Sequence, residues 1–315
     1  MLRGIGAIAA MALLLCTQSQ AQVPDRIDWT LAPPSDAGNS ARYQFSLSYR
    51  TPRSSSNWSN GIDLSELQGL DAGQLGSQGG TQVSFRIARE AGRFDCTGIV
   101  RQQRGTGECR FTPDAAFAGE LERRGIGSPT AEQQFRLALA RVSMALVDEL
   151  ERRDYPRPDI DDLGRAGVHR VDVAYVRELA DAGYAPGTLE GLVRMRIHGV
   201  TPTYVAELAT AGYRPDADTL QRFAIHGVSS DFVRDMRALG YANLDGQELV
   251  ALRIHGLTAD YVRQLRALGY EGLTAEQLRR MRIHGVTPAF AERAIARAGS
   301  RPSADELVRI RIHGG

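Results

Sequence analysis

The amino-acid sequence predicts an α+β protein: an N-terminal, disulfide-stapled antiparallel β domain followed by a solenoid-like array of α-helical hairpins. Two observations carry most of this. The tripeptide Ile-His-Gly returns at Ile197-His198-Gly199, Ile225-His226-Gly227, Ile254-His255-Gly256, Ile283-His284-Gly285 and Ile312-His313-Gly314, in steps of 28, 29, 29 and 29 residues. A fixed period of that length marks stacked supersecondary units. Upstream of the array, apolar and polar residues alternate instead, as at Tyr43, Phe45, Leu47 and Tyr49 or at Val83, Phe85 and Ile87. Period two is the signature of half-buried strands.

The chain begins with a leader. Arg3 supplies a positive start, residues 5–15 an apolar run too short to span a bilayer, and Ser19-Gln20-Ala21 a small-residue cleavage site. Cleavage is expected after Ala21, and Cys16 leaves with the leader, preceded as it is by Leu13-Leu14-Leu15 rather than by the small residue of a lipid-attachment site. No later stretch has the length and apolarity of a membrane helix, so the mature chain is expected in the periplasm or secreted. At 315 residues, 24% charged and 43% hydrophobic, with a net charge of +1, it has room for two domains and no bias toward nucleic acid.

Residues 22–127 form the expected β domain. Phe94, Cys96, Gly98 and Val100 make a third alternating run. Residues 51–60, rich in Ser and Asn, read as a loop carrying Trp58. Within residues 62–75, Leu64, Leu67 and Leu70 suggest a helical turn, and the Gly-rich residues 76–81 read as a second loop. A hairpin closed over residues 102–106 sets Cys96 against Cys109. Reactive dithiols are typically two residues apart, so this pair reads as a structural disulfide, contributing roughly 3 kcal/mol by loop closure. A short helix follows Asp114 and ends near Gly125. Residues 128–158 read as one linking or capping helix, with a capping box at Thr130 and Gln133 and an apolar stripe of Phe135, Leu139, Val142, Leu146 and Leu150.

Residues 159–315 hold the repeats. Helix A of each unit starts at a cap such as Thr201, Ser229, Thr258 or Thr287, buries Tyr204, Val205 and Leu208 or their equivalents, and stops at Gly-Tyr. Helix B starts at a cap such as Thr274 or Ser303, buries Leu249, Leu252 and Ile254 or Leu278, Met281 and Ile283, and stops at His-Gly. A degenerate first copy is placed at Ala166-Gly167-Val168. Helices of about ten residues do not hold alone, so the units must bury their stripes on one another.

His198, His226, His255, His284 and His313 look at first like a ligand ladder. A repeat separation on the order of 10 Å keeps them from sharing one ion, so they read as helix C-caps, favoured there by the helix dipole. The candidate binding feature is the row Arg196, Arg253, Arg282 and Arg311, with Ala224 at the gap and Arg194, Arg222, Arg280 and Arg309 beside it. It suits an anion or an acidic partner. The competing reading is a solvated face, ion-paired to Glu207, Asp235 and Glu292 of the A helices.

Gly-Val-Thr-Pro-x-Tyr-Val-x-Glu-Leu-x-x-x-Gly-Tyr, as in residues 199–213, resembles repeats of bacterial exported proteins. The same repeats occur on the extracytoplasmic side of BlaR1-like membrane sensor proteases. Phe94-Asp95-Cys96-Thr97-Gly98 and Gly105-Thr106-Gly107-Glu108-Cys109-Arg110-Phe111 resemble the β-rich module that precedes those repeats. The resemblance implies an envelope-facing repeat protein; the protease's His-Glu-x-x-His and membrane helices have no counterpart here. No catalytic motif, metal set or cofactor site is recognised. The expected function is therefore a non-catalytic interaction module for an unidentified protein or cell-envelope ligand. The alternatives are a ligand-sensing component of an envelope signalling system and a hydrolase with a site in the β domain.

Overall fold

The computed structural model describes residues 23–24, 26–33, 42–51 and 54–314; the expected leader, its cleavage point and Cys16 lie outside them. Six antiparallel strands, β1 (Ile27–Ala32), β2 (Tyr43–Thr51), β3 (Ser54–Ile62), β4 (Thr81–Arg89), β5 (Gly92–Arg101) and β6 (Arg104–Pro113), form one sheet in the order β3-β2-β1-β6-β5-β4. Ile27, Trp29 and Leu31 put the central strand's apolar face in the core. The Trp29 ring lies over Gly98, Gly105 and Gly107, where an added Cβ would collide with it, and Trp29 Nε1 donates to the Thr97 carbonyl at 3.0 Å. Three glycines in adjoining strands are thus explained by one side chain.

Residues 51–60 are not a loop: β3 pairs along β2, with Trp58 opposite Leu47. Its Ser and Asn hide the strand from an apolar-pattern search, and such a polar surface suits a sheet edge. The β5–β6 connection is also tighter than expected. Gln102 and Gln103 take φ of 47° and 62° and close a two-residue turn, the geometry that matches strand twist. Cys96 and Cys109 are register partners joined by a disulfide. A 3₁₀ turn at Leu64–Glu66 and helix α1 (Ala72–Leu75) bring Leu67, Leu70 and Leu75 into the core.

Fourteen further helices follow among the described residues: α2 (Ala115–Arg123), α3 (Ala131–Leu139), α4 (Met144–Arg152), α5 (Ile160–Val168), α6 (Val173–Asp181), α7 (Leu189–Ile197), α8 (Pro202–Thr210), α9 (Ala217–His226), α10 (Ser230–Ala238), α11 (Gly246–Ile254), α12 (Ala259–Ala267), α13 (Ala275–Ile283), α14 (Pro288–Ala298) and α15 (Ala304–His313). The expected single helix over 128–158 is two, α3 and α4, broken where Arg141 adopts φ 56°. The chain divides into two compact units between Leu139 and Ala140, inside that stretch. In the first unit α3 packs on β5 and β6, with Phe135 set edge-on to Phe94, Phe111 and Tyr49 at centroid distances of 5.8, 5.4 and 4.9 Å. In the second, A helices α4, α6, α8, α10, α12 and α14 pack in succession. B helices α5 and α7, and then α9, α11, α13 and α15, do likewise.

The repeat register is longer than the Ile-His-Gly motif suggests. Caps Asp114, Ser143, Asp172 and Thr201 stand 29 residues apart, as do Thr130, Asp159 and Thr188. Asp154 and Arg170 take φ of 57° where later copies have Gly183 and Gly199, and Gly125 and Arg141 hold the same positions one repeat earlier. The degenerate copy is therefore Val168-His169-Arg170-Val171, not Ala166-Gly167-Val168, and His169 joins the histidine row. The α2–α3 pair has the local design of a further hairpin. At the other end Gly314 has φ −107°, so the last copy lacks the left-handed stop.

Candidate functional site

Four of the B helices carry the same string: an acidic residue, three residues, Arg, two residues, then Ile-His. It reads Glu190, Arg194, Ile197, His198 in α7; Asp218, Arg222, Ile225, His226 in α9; Glu276, Arg280, Ile283, His284 in α13; and Asp305, Arg309, Ile312, His313 in α15. Helix α11 substitutes Gln247 and Ala251 before Ile254 and His255. The core positions are two and five residues before each Ile: Leu192 and Met195, Leu220 and Phe223, Leu249 and Leu252, Leu278 and Met281, all buried.

The expectation that the isoleucine itself is a core contact is wrong. Ile197, Ile225, Ile254, Ile283 and Ile312 are between 47% and 55% exposed, and Val168 in α5 is 69% exposed. At 100° per residue, a side chain two positions past a buried one points about 200° away from it. The residue that does pack back is three positions further on. Val200, Val228 and Val286, and Leu257 in α11's copy, are fully buried, and the amide of each closes the helix on the residue two before the Ile, as Val200 N–H does on the Met195 carbonyl.

The arginine row has a structural placement. The guanidiniums of Arg196, Arg253, Arg282 and Arg311 lie over the rings of Tyr175, Phe232, Tyr261 and Phe290 at 4.8–5.3 Å. Arg253 Nε donates to the Gly227 carbonyl at 3.0 Å and its Nη1 to the Leu257 carbonyl at 3.1 Å, while Arg282 Nε donates to the His255 carbonyl at 3.3 Å. Each of these two arginines thus stacks on its own A helix and caps the carbonyl end of the preceding B helix, where the dipole is negative. The A helices repeat the device through Arg237 to the Gly212 carbonyl and Arg266 to the Leu239 carbonyl. The ion pairs expected between this row and Glu207, Asp235 and Glu292 are not the ones present. Asp235 pairs with Arg263 at 2.9 Å, and Glu207 accepts from Ser230.

The neighbouring row is more open. Arg194 and Arg280 are exposed, the first 3.8 Å from Glu190 and the second 3.0 Å from Asp305 of the next unit; Arg222 donates to Thr219. Buried Glu149, fully enclosed, is held by Arg152, by Arg153 at 2.6 Å and by Arg177 at 2.7 Å. A buried carboxylate with three guanidiniums is a packing joint between α4 and α6.

The histidines stand where the sequence puts them. His198, His255 and His284 are C-caps, and His226 and His313 end their helices. Among the described residues no three His, Cys, Asp or Glu side chains are grouped to hold a metal, and no helix is long and apolar enough to cross a membrane. The tyrosines of the A helices lock the turns instead: Tyr175 donates to the Val200 carbonyl at 2.9 Å and Tyr261 to that of Val286 at 2.8 Å. Burial pushes both hydroxyls up to about 12, against a smaller opposing pull from Arg196 and Arg282.

No protein-family model matches this chain, and comparison with curated proteins likewise gives no match.

Proposed function

We infer that this chain is an exported, non-catalytic docking protein whose working surface is the B-helix face of the repeat array. The observation that carries this reading is the isoleucine row. One half-exposed β-branched residue stands at the same position in every B helix from α7 to α15, with the core positions beside it already filled. A single exposed apolar residue on a surface means little, but a contiguous apolar feature rimmed by polar groups is what interaction sites present. The disulfide fits an oxidising compartment. The resemblance to envelope repeats supports the same location.

The arginine row that seemed the better candidate is occupied by ring stacking and carbonyl capping, which lowers its value as a ligand site and with it the sensing alternative. The test is site-specific photo-cross-linking in envelope extract. A benzophenone side chain replacing Ile254 is expected to capture a discrete partner. The same group replacing Arg234, exposed on helix A, is the control. Equal capture from both positions, or none from 254, contradicts the reading.

A further inference from the structure

We propose that the turn between α7 and α8, with the ring of Tyr204, is a socket for a guanidinium group supplied from outside the chain, an arginine side chain of a partner polypeptide. Other units fill the equivalent place themselves. Arg196, Arg253, Arg282 and Arg311 lie over the rings of Tyr175, Phe232, Tyr261 and Phe290. Each of these arginines directly precedes its isoleucine; in α9 the residue before Ile225 is Ala224. The ring is still held as in its neighbours. Tyr204 donates its hydroxyl to the Val228 carbonyl at 2.5 Å, the bond that Tyr175 makes to Val200 and Tyr261 to Val286. The ring, the turn and its carbonyls are therefore in place, and the guanidinium is what the sequence leaves out.

The surroundings agree. A Cβ built on Gly227, Gly256 or Gly285 meets a guanidinium nitrogen of Arg253, Arg282 or Arg311 within 4 Å, whereas one built on Gly199 meets nothing. Arg253 and Arg282 donate to the carbonyls of Gly227 and His255; among the described residues no side chain donates to the matching carbonyls of Gly199 and His198. Tyr204 is half-buried where Tyr175 and Tyr261 are buried. Burial raises its hydroxyl without the opposing pull that Arg196 and Arg282 exert on the other two. The arginines on the adjoining helices are engaged elsewhere, Arg222 with Thr219 and Arg237 with the Gly212 carbonyl. The chemistry selects the occupant. Carbonyls at the end of α7 accept and cannot donate, and the helix dipole is negative there, so a cation suits the site and an anion does not. A planar guanidinium can stack on the ring and still direct N–H groups at carbonyls in its own plane; an ammonium is a compact, strongly hydrated charge. His198 and Arg222 flank the socket as His255 and Arg280 flank the one that Arg282 fills, so like charge does not bar a guanidinium there. The socket makes no use of the isoleucine row and stands independently of the docking reading.

The experiment is amide NMR of the full chain titrated with the end-blocked peptide Gly-Ser-Arg-Ser-Gly. Saturable shifts are expected at Gly199, Val200 and Tyr204. The same peptide with lysine or citrulline in place of arginine is expected to bind about tenfold more weakly or worse. Ala224→Arg supplies the group from the chain itself and is expected to abolish the peptide's shifts. No saturable shift around Gly199, equal binding by the lysine or citrulline peptide, or undiminished binding by Ala224→Arg overturns the proposal. Binding of free arginine about tenfold tighter than that of the blocked peptide overturns the polypeptide source and leaves a small guanidinium compound as the ligand.

Discussion

Arginine and tyrosine make polar joints between successive repeats. Where Arg253 and Arg282 lie close to Gly227 and Gly256, the equivalent site at Gly199 is open, because Ala224 stands in the arginine position. Among the described residues no guanidinium lies over the Tyr204 ring, unlike those of Tyr175 and Tyr261. Ala224→Arg is expected to fill both, stacking on Tyr204 and capping the Gly199 carbonyl. The gain should be about 0.5–1 kcal/mol, measured as a raised urea midpoint; an unchanged or lower midpoint would show that the arginines are not joints. The tyrosines make a pH prediction. Their folded pKa is raised from 10.0 to about 12 by burial. The stability they carry is complete below pH 10 and is lost between 10 and 12, as the unfolded chain releases protons that the folded chain keeps. Urea midpoints are expected to fall steeply across that window, and less steeply in Tyr261→Phe.

At the scale of the element, the hairpin design was legible because each stop and start is spelled locally. Cap residues, capping boxes and Gly-Tyr stops sit where expected, and the Thr130–Gln133 box closes with hydrogen bonds of 2.9 and 3.2 Å. What sequence pattern could not separate was burial from recurrence. Ile254 recurs as faithfully as Leu252, and recurrence alone places both in the core. Helical angle would have distinguished them, since Leu249 and Leu252 share a face that Ile254 does not. Strand β3 stayed hidden for a different reason: an edge strand satisfied by polar side chains shows no apolar alternation, and its register is imposed by β2. The β5–β6 hairpin was readable from its alternation, and its disulfide closes a short loop. Cys96→Ser/Cys109→Ser is expected to cost roughly 3 kcal/mol, seen as earlier loss of the near-ultraviolet signal of the Trp29 cluster on denaturation. No loss would mean that the bridge does not constrain the unfolded chain.

Across the molecule, the 29-residue register runs through Asp114, Ser143 and Asp172 into the obvious copies, while the chain divides between Leu139 and Ala140. The early copies are spelled less plainly, and the one legible in the sequence is read out of register, because Asp154, Arg170 and Arg141 replace the glycines that announce the stop. A non-glycine residue at such a φ costs on the order of 1 kcal/mol, so Asp154→Gly is expected to stabilise the array by about that amount in thermal unfolding. On the docking reading, the isoleucine row serves binding and not the fold. This is tested most directly by replacing Ile197, Ile225, Ile254, Ile283 and Ile312 with serine together and measuring urea unfolding. Half-exposed residues on a binding face predict a folded array that loses no more than about 0.5 kcal/mol per site. A loss of about 3 kcal/mol or more per site, the cost of emptying core positions, would contradict it.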